Sequence, residues 1–140
     1  MITAFKRGAA AYAEVAVETD VASADPHQLI VLLYDGALRA IARADAAIAA
    51  GNVQVKGESV SKAIQIIEEG LKASLDERVG GELAQQLRSL YEYMARRLLF
   101  ASVRNDATGL REVAGLLADL KSAWQSIGDH ARPTGGRLAA

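Results

Sequence analysis

The chain has 140 residues, 51% of them hydrophobic, which is a length and composition typical of one globular domain. Sixteen basic and seventeen acidic residues leave a net charge of -1, which argues against a general nucleic-acid coat or a polybasic membrane anchor. Because there is no cysteine, disulfides, thiolate metal sites and thiol nucleophiles are excluded. No apolar run approaches the length of about 20 residues that a membrane-spanning helix needs. We therefore expect a soluble cytoplasmic domain.

The segment between the only two prolines, Pro26 and Pro133, is rich in residues that favour helix intrinsically. Aromatic residues make up only 5% of the chain and no long run alternates with period two, so strands have little support. The apolar periodicity predicts four helices, spanning about Pro26 to Ala50, Val55 to Leu75, Glu82 to Arg104 and Ala107 to Ile127. The sequence therefore predicts an all-α protein.

Capping residues stand at the predicted helix ends. Asp25 is a suitable N-cap because a proline follows it in the first helical turn, and Asp106 is placed to cap the fourth helix. Gly51-Asn52 is expected to end the first helix and Gly128 the fourth. Four helices of this length joined by short loops predict an antiparallel four-helix bundle.

Both ends of the chain lie outside the predicted bundle. We expect three parts: an N-terminal capping segment over residues 1–22, the bundle over residues 23–128, and a disordered tail over residues 129–140. The capping segment has the composition of a short additional helix or an extended strap.

Helices one and three carry more apolar surface than the single stripe that a bundle helix needs. A second stripe, about 100° from the first, extends along helix one, and an apolar flank continues the stripe of helix three. These additional positions are Leu29, Gly36, Ala40 and Ala47 on helix one, and Ala84, Tyr91, Ala95 and Ser102 on helix three. Two interpretations stay open: deeper burial in a tightly packed bundle, or a groove that receives a partner's helix and is covered by the capping segment when empty.

The sequence shows no catalytic constellation. There is no Glu-x-x-His motif for a carboxylate-bridged metal, and His27 is expected to be solvated in the first turn of helix one. We therefore predict no enzyme activity, no metal and no cofactor. Arg96-Arg97 is either a solvated face paired with acidic neighbours or an anchor for a partner's carboxylates. Trp124 lies on the heptad seam of helix four and is expected to pack in the core.

Three blocks of sequence together resemble the FliS-type flagellar secretion chaperones. They are AYAEVAVET near the N-terminus, DPHQLIVLLYDGAL in helix one, and GGELAQQLRSLYEYMARRLL leading into helix three. Their content, order and spacing match over about residues 9–127, which is nearly the whole predicted fold.

This resemblance implies a helical bundle that binds the C-terminal segment of flagellin in the cytoplasm. It further implies that binding prevents premature polymerisation and that the complex is delivered to the flagellar type III export gate. Tyr12 matches the family's N-terminal tyrosine. The residues that match the helix-one block are Leu33, Tyr34, Asp35 and Gly36, and those that match the helix-three block are Tyr91, Tyr93, Met94, Arg96 and Arg97. Together with the apolar stripes, the expected partner-binding residues are Tyr12, Leu29, Leu33, Tyr34, Gly36, Ala40, Ala47, Ala84, Tyr91, Ala95, Arg96 and Arg97.

A second interpretation comes from another class of protein. A self-assembling structural bundle would bury the second apolar stripes in a weak homodimer. Other flagellar regulators are further candidate partners, whereas binding to nucleic acid and insertion into a membrane are not expected.

Overall fold

The computed structural model describes residues 25–131, with side chains as far as Gly128. The elements are α1 (Pro26–Ala50), α2 (Val53–Gln65) with its π-helical continuation (Ile66–Lys72), α3 (Glu77–Arg104) and α4 (Ala107–Ala131). No strand occurs in this part of the chain, and the all-α prediction is confirmed. The predicted capping segment, and residues 132–140 of the predicted tail, lie outside the described residues.

The predicted capping residues act at three helix ends. The backbone N–H of Gln28 donates to Asp25 Oδ1 over 2.7 Å and begins α1. Gly51 ends α1 with a left-handed φ of 72°. The backbone N–H of Gly109 donates to Asp106 Oδ1 over 3.3 Å at the start of α4. The bounds of α1 and the start of α4 are therefore as predicted.

The far end of α4 differs from the prediction. Gly128 was expected to end this helix, but α4 continues to Ala131. The physical reason is that glycine costs only about 1 kcal/mol inside a helix. The close approach of His27 also favours glycine at this position, because an added Cβ at Gly128 would lie 2.1 Å from His27 Cε1.

Helices α2 and α3 contain two irregularities that the periodicity does not show. The last seven residues of the second helix, Ile66–Lys72, are wound as π-helix. α3 begins at Glu77, with Asp76 as its N-cap, but bends at Gly81, whose φ of 58° and ψ of -132° lie outside the helical region. The predicted start at Glu82 is thus the residue directly after this bend.

Contacts along the helices establish an antiparallel bundle. Each helix packs against the next in chain order, and α4 closes the ring by packing against α1. The end of α1 meets the start of α4 through an ion pair of Asp45 and Arg111, whose Oδ2 and Nε atoms are 3.0 Å apart. The end of α2 meets the middle of α3 through Lys72 and Glu92.

The second stripe of α1 is buried inside this bundle. Leu29, Ala40 and Ala47 have relative accessibilities of 8%, 3% and 5%, and Gly36 is buried as well. The reason is that α2 and α4 both pack against α1, so a single apolar stripe would not cover both contacts. Of the two interpretations left open, the structure favours deep burial of these four residues over an open groove.

A buried lysine closes one end of the bundle. Lys56 is only 8% exposed, and its Nζ donates to the carbonyl of Ser102 over 2.8 Å and to Asn105 Oδ1 over 2.7 Å. These two bonds satisfy acceptors at the C-terminal end of α3 and hold α2 against it.

Candidate functional site

The end of the bundle opposite Lys56 contains a cavity of about 420 Å³, here called the end cavity. It lies among the start of α1, the π-helical end of α2, the first turns of α3 and the last part of α4. Most of its surface is apolar, and six of the side chains that form it are Ile30, Leu71, Leu75, Leu83, Ala84 and Leu87. Its size and apolar character are those of a ligand-binding pocket.

The bend at Gly81 gives the end cavity an apolar mouth. Val79, just before the bend, is 82% exposed, and Leu83, just after it, is 63% exposed. Both residues line the cavity although they face solvent. Large apolar side chains that are exposed next to a cavity are typical of a binding surface for another apolar segment.

Two buried tyrosines from α1 and α3 line the end cavity. The Oη atoms of Tyr34 and Tyr91 are 2.6 Å apart and share a hydrogen bond, and the two residues are 3% and 2% exposed. Burial raises the pKa of both phenols above the ordinary value of 10.0, because a phenolate would lose its hydration. Both hydroxyls therefore stay protonated at neutral pH.

His27 and Trp124 form one wall of the end cavity. Their rings stack with centroids 5.1 Å apart and an interplanar angle of 9°. The His27 ring nitrogen Nε2 donates to the carbonyl of Trp124 over 2.7 Å, and the indole Nε1 of Trp124 donates to the carbonyl of His27 over 3.0 Å. These contacts join the first turn of α1 to the last part of α4.

The expectations for these two residues need correction. His27 is not a solvated residue but a partly buried one with a stacked neighbour and a hydrogen bond. Trp124 packs against the core but stays partly exposed and lines the cavity, so it is not only a core residue. The periodicity could not show either role, because each depends on a residue 97 positions away.

The structure brings three of the predicted site residues, Tyr34, Ala84 and Tyr91, together at the end cavity. It does not bring the others there. Residues that are buried elsewhere in the bundle are Leu29, Leu33, Gly36, Ala40, Ala47 and Ala95. Tyr12 lies outside the described residues. Partner binding by all of these residues stays a prediction.

The two arginines of the predicted site have different surroundings. Arg97 Nε donates to Glu112 Oε1 over 2.8 Å, and its guanidinium also lies 3.4 Å from Asp106 Oδ2. Tyr93 donates to the other oxygen of Glu112, and this hydrogen bond, followed by that from Arg97, lowers the pKa of the Glu112 carboxyl. Arg96 is exposed and has no ion pair within residues 25–131. The solvated-face interpretation with acidic neighbours thus fits Arg97, and anchoring of a partner's carboxylate by either arginine stays a prediction.

Much of the end cavity was not predicted from the sequence. Leu71, Leu75, Val79, Leu83 and Leu87 were not among the predicted site residues, although they form its walls and mouth. Periodicity could not find them, because they come from helix ends that meet only in the fold. The adjacent glycines at positions 80 and 81 were the one available signal, since they mark the bend at the mouth.

A second exposed apolar surface, the distal face, lies on α3 away from the end cavity. Its residues Leu99, Phe100 and Val103 are 54%, 54% and 72% exposed. The guanidinium carbon of Arg104 lies 5.9 Å from the centre of the Phe100 ring, within the range of a cation–π contact.

Residues 25–131 provide neither a cluster of metal-binding side chains nor a helix that could cross a membrane. No group of three or more histidine, aspartate or glutamate side chains there is placed to hold a metal ion. No helix in the same range combines the length and the apolar character needed to cross a membrane.

Comparison with known proteins gives consistent matches over most of the chain. The family model for the flagellar protein FliS matches residues 8–131. The flagellar secretion chaperone FliS of Salmonella typhimurium is 54% identical over 120 residues, which are 86% of this chain and 89% of that protein. The FliS of Escherichia coli is 48% identical over 119 residues, covering 85% of this chain and 88% of its own length. The FliS of Bacillus subtilis is 36% identical over 108 residues, covering 77% and 79%.

The range matched by the family model includes the residues of the end cavity and all four helices. The resemblance noted in the sequence blocks is thereby confirmed at the level of the family. The chain belongs to the FliS family of flagellar secretion chaperones.

Proposed function

We propose that this protein is a cytoplasmic, non-catalytic chaperone that binds the C-terminal segment of flagellin and delivers it to the flagellar type III export gate. The observation that carries the proposal is the end cavity of about 420 Å³, with its exposed apolar mouth at Val79 and Leu83. An amphipathic helix or strand of the partner would bury these side chains and fill the cavity.

The mechanism is thermodynamic. When a flagellin segment folds onto the chaperone, its polymerising surface is covered. The concentration of flagellin that can still polymerise therefore falls as the chaperone's concentration and affinity rise. Ordering the segment costs free energy, so a large apolar contact is compatible with an affinity weak enough for release. The role requires no reacting group, only an apolar surface that is stable without its partner.

The alternative of a homodimer through the second apolar stripes has less support. A dimer of that kind needs Leu29, Gly36, Ala40 and Ala47 at the surface, and each is buried within one chain. The chaperone proposal uses residues that are exposed at the cavity mouth instead.

Light scattering and a polymerisation assay test the proposal together. We expect the full chain to be a monomer whose mass does not change with concentration. Addition of a flagellin C-terminal segment should give a one-to-one complex, and an equimolar amount of chaperone should suppress seeded growth of flagellin filaments. A chain that forms dimers at all concentrations and leaves filament growth unchanged would contradict the proposal.

A further inference from the structure

The pair Tyr34–Tyr91 has one hydrogen that no described group accepts. Two protonated hydroxyls hold two hydrogens, and only one of them lies between the oxygens, which are 2.6 Å apart. Neither tyrosine makes another hydrogen bond within the described residues. Both residues are at least nine-tenths buried and line the end cavity, so a ligand in that cavity is placed to accept the second hydrogen.

The other side-chain donors that line the end cavity are already used. Ser74 donates to the carbonyl of Leu71 over 2.8 Å. His27 Nε2 and Trp124 Nε1 each donate to the carbonyl of the other residue, and a carbonyl only accepts. Among the side chains described here, the tyrosine pair is therefore the one that offers an unused donor to a ligand.

We propose that the end cavity selects an apolar group that carries one hydrogen-bond acceptor and places it on the Tyr34–Tyr91 pair. The inference deepens the proposed function and depends on it only for the identity of the natural ligand, a side chain or carbonyl of the bound segment. An apolar wall provides affinity, while the single donor discriminates among apolar ligands of the same size.

The discrimination follows from what happens to the unused hydrogen on binding. In the free protein a water molecule that enters the cavity can accept it. A ligand with an acceptor replaces that water, whereas a ligand without one leaves the buried hydroxyl unpaired. We expect a preference of about five- to tenfold for the ligand with the acceptor, once the different hydrophobicity of the two ligands is corrected for.

The test uses acetophenone and ethylbenzene, two probes of nearly equal shape, of which only the first has an acceptor. The full chain contains one tryptophan, Trp124, which lines the cavity, so its single indole N–H resonance reports binding. The ratio of the two dissociation constants is measured for the wild type and for the double variant Tyr34→Phe with Tyr91→Phe. Taking this ratio removes the contribution of ligand hydrophobicity.

The expected result is that the preference for acetophenone falls about five- to tenfold in the double variant, which has no hydroxyl left. Each single variant should keep the preference or increase it, because the remaining hydroxyl then has a hydrogen and no tyrosine partner. An unchanged ratio in the double variant would overturn the proposal. So would the absence of any Trp124 shift with both probes.

Stability measurements separate this role from a structural one because the two roles predict opposite patterns. For folding, a single Tyr→Phe change leaves one buried hydroxyl unpaired, while the double change removes both partners and costs less than the sum of the singles. For probe selectivity, each single variant should keep the preference for acetophenone, whereas the double variant should lose it. A selectivity pattern that follows the stability pattern would contradict the proposal.

One measurement needs no variant. The carbonyl stretch of acetophenone bound to the wild type should lie at lower frequency than in a hydrocarbon solvent, because a donated hydrogen bond weakens the carbonyl bond. A hydrocarbon-like frequency would overturn the proposal even if the double variant did not fold. If the protein keeps its probe selectivity but does not bind flagellin, only the proposed function is contradicted. If it binds flagellin but shows no probe selectivity, only this inference is contradicted.

Discussion

The side chains of His27 and Trp124 each donate a hydrogen bond to the backbone carbonyl of the other residue. The ring nitrogen of His27 donates to the backbone of Trp124 over 2.7 Å, and the indole of Trp124 donates to the backbone of His27 over 3.0 Å. Their stacked rings join the first turn of α1 to α4 and form a wall of the end cavity. This reciprocal pair thus holds the first turn of α1 against the last part of α4 beside the end cavity.

The energy of this pair can be measured with a double-mutant cycle of His27→Ala and Trp124→Ala. We expect Trp124→Ala to cost about 3 kcal/mol of unfolding free energy, since the ring is only partly buried. His27→Ala should cost about 1–2 kcal/mol, and the two changes together should cost about 1 kcal/mol less than their sum. Strict additivity in urea denaturation would contradict a direct interaction.

Gly128 offers a sharper test of the same contact. A Cβ at this position would lie 2.1 Å from His27 Cε1, so Gly128→Ala must displace the imidazole. We expect a loss of about 1–3 kcal/mol, the cost of overpacking. Gly115→Ala on the same helix is the matched control. Nothing lies within 4 Å of its added Cβ, so it should stabilise by about 0.5–1 kcal/mol. Equal effects of the two substitutions would show that Gly128 is not closely packed.

Ala40→Gln decides between core and groove for the second stripe of α1. Because Ala40 is 3% exposed and belongs to the core cluster, the longer polar side chain should lower the unfolding free energy by about 1–3 kcal/mol. Ala46→Gln, at an exposed position of the same helix, should stay within about 0.5 kcal/mol. A small effect at Ala40 combined with weaker flagellin binding would restore the groove interpretation.

The buried tyrosines predict a loss of stability in alkali. The pKa of Tyr34 and of Tyr91 is raised in the folded state, chiefly by burial, above the ordinary value of 10.0. Because the folded state holds these protons more tightly than the unfolded state, the contribution of the two tyrosines to the unfolding free energy is fully present below pH 10. This contribution is lost as the pH rises above that value. Denaturation curves between about pH 9 and about pH 11 should therefore show falling stability. The double variant Tyr34→Phe with Tyr91→Phe should lose less over the same range, and equal slopes would count against the assignment.

The sequence predicts those parts of the fold that depend on local signals. Asp25 and Gly51 act locally, and the bounds of α1 follow from them. The continuation of α4 past Gly128 was missed, because no local pattern distinguishes a glycine inside a helix, here packed against His27, from a glycine that ends it. The π-helical segment Ile66–Lys72 was missed for the same reason, since its composition is that of an ordinary helix.

The candidate site was predicted less completely than the fold. A helical wheel identified the apolar positions of α1 and α3, but it could not tell which neighbouring helix covers each of them. Ala40 and Ala47 are covered by the bundle itself, whereas Leu83 remains exposed. Tyr34 was predicted from the family block, and Tyr91 from the family block and from the apolar flank of helix three, but their shared hydrogen bond needed the three-dimensional structure.

Titration of a flagellin C-terminal segment into Leu83→Glu and Leu99→Glu tests the central claim, that the end cavity is the binding site. The two leucines lie on the same helix and are 63% and 54% exposed, but only Leu83 lines the cavity. Both variants should fold with wild-type stability, within about 0.5 kcal/mol. We predict that Leu83→Glu weakens binding at least about tenfold, or about 1.4 kcal/mol, and that Leu99→Glu changes it by less than about threefold. Equal affinities of Leu83→Glu and the wild type would contradict the account.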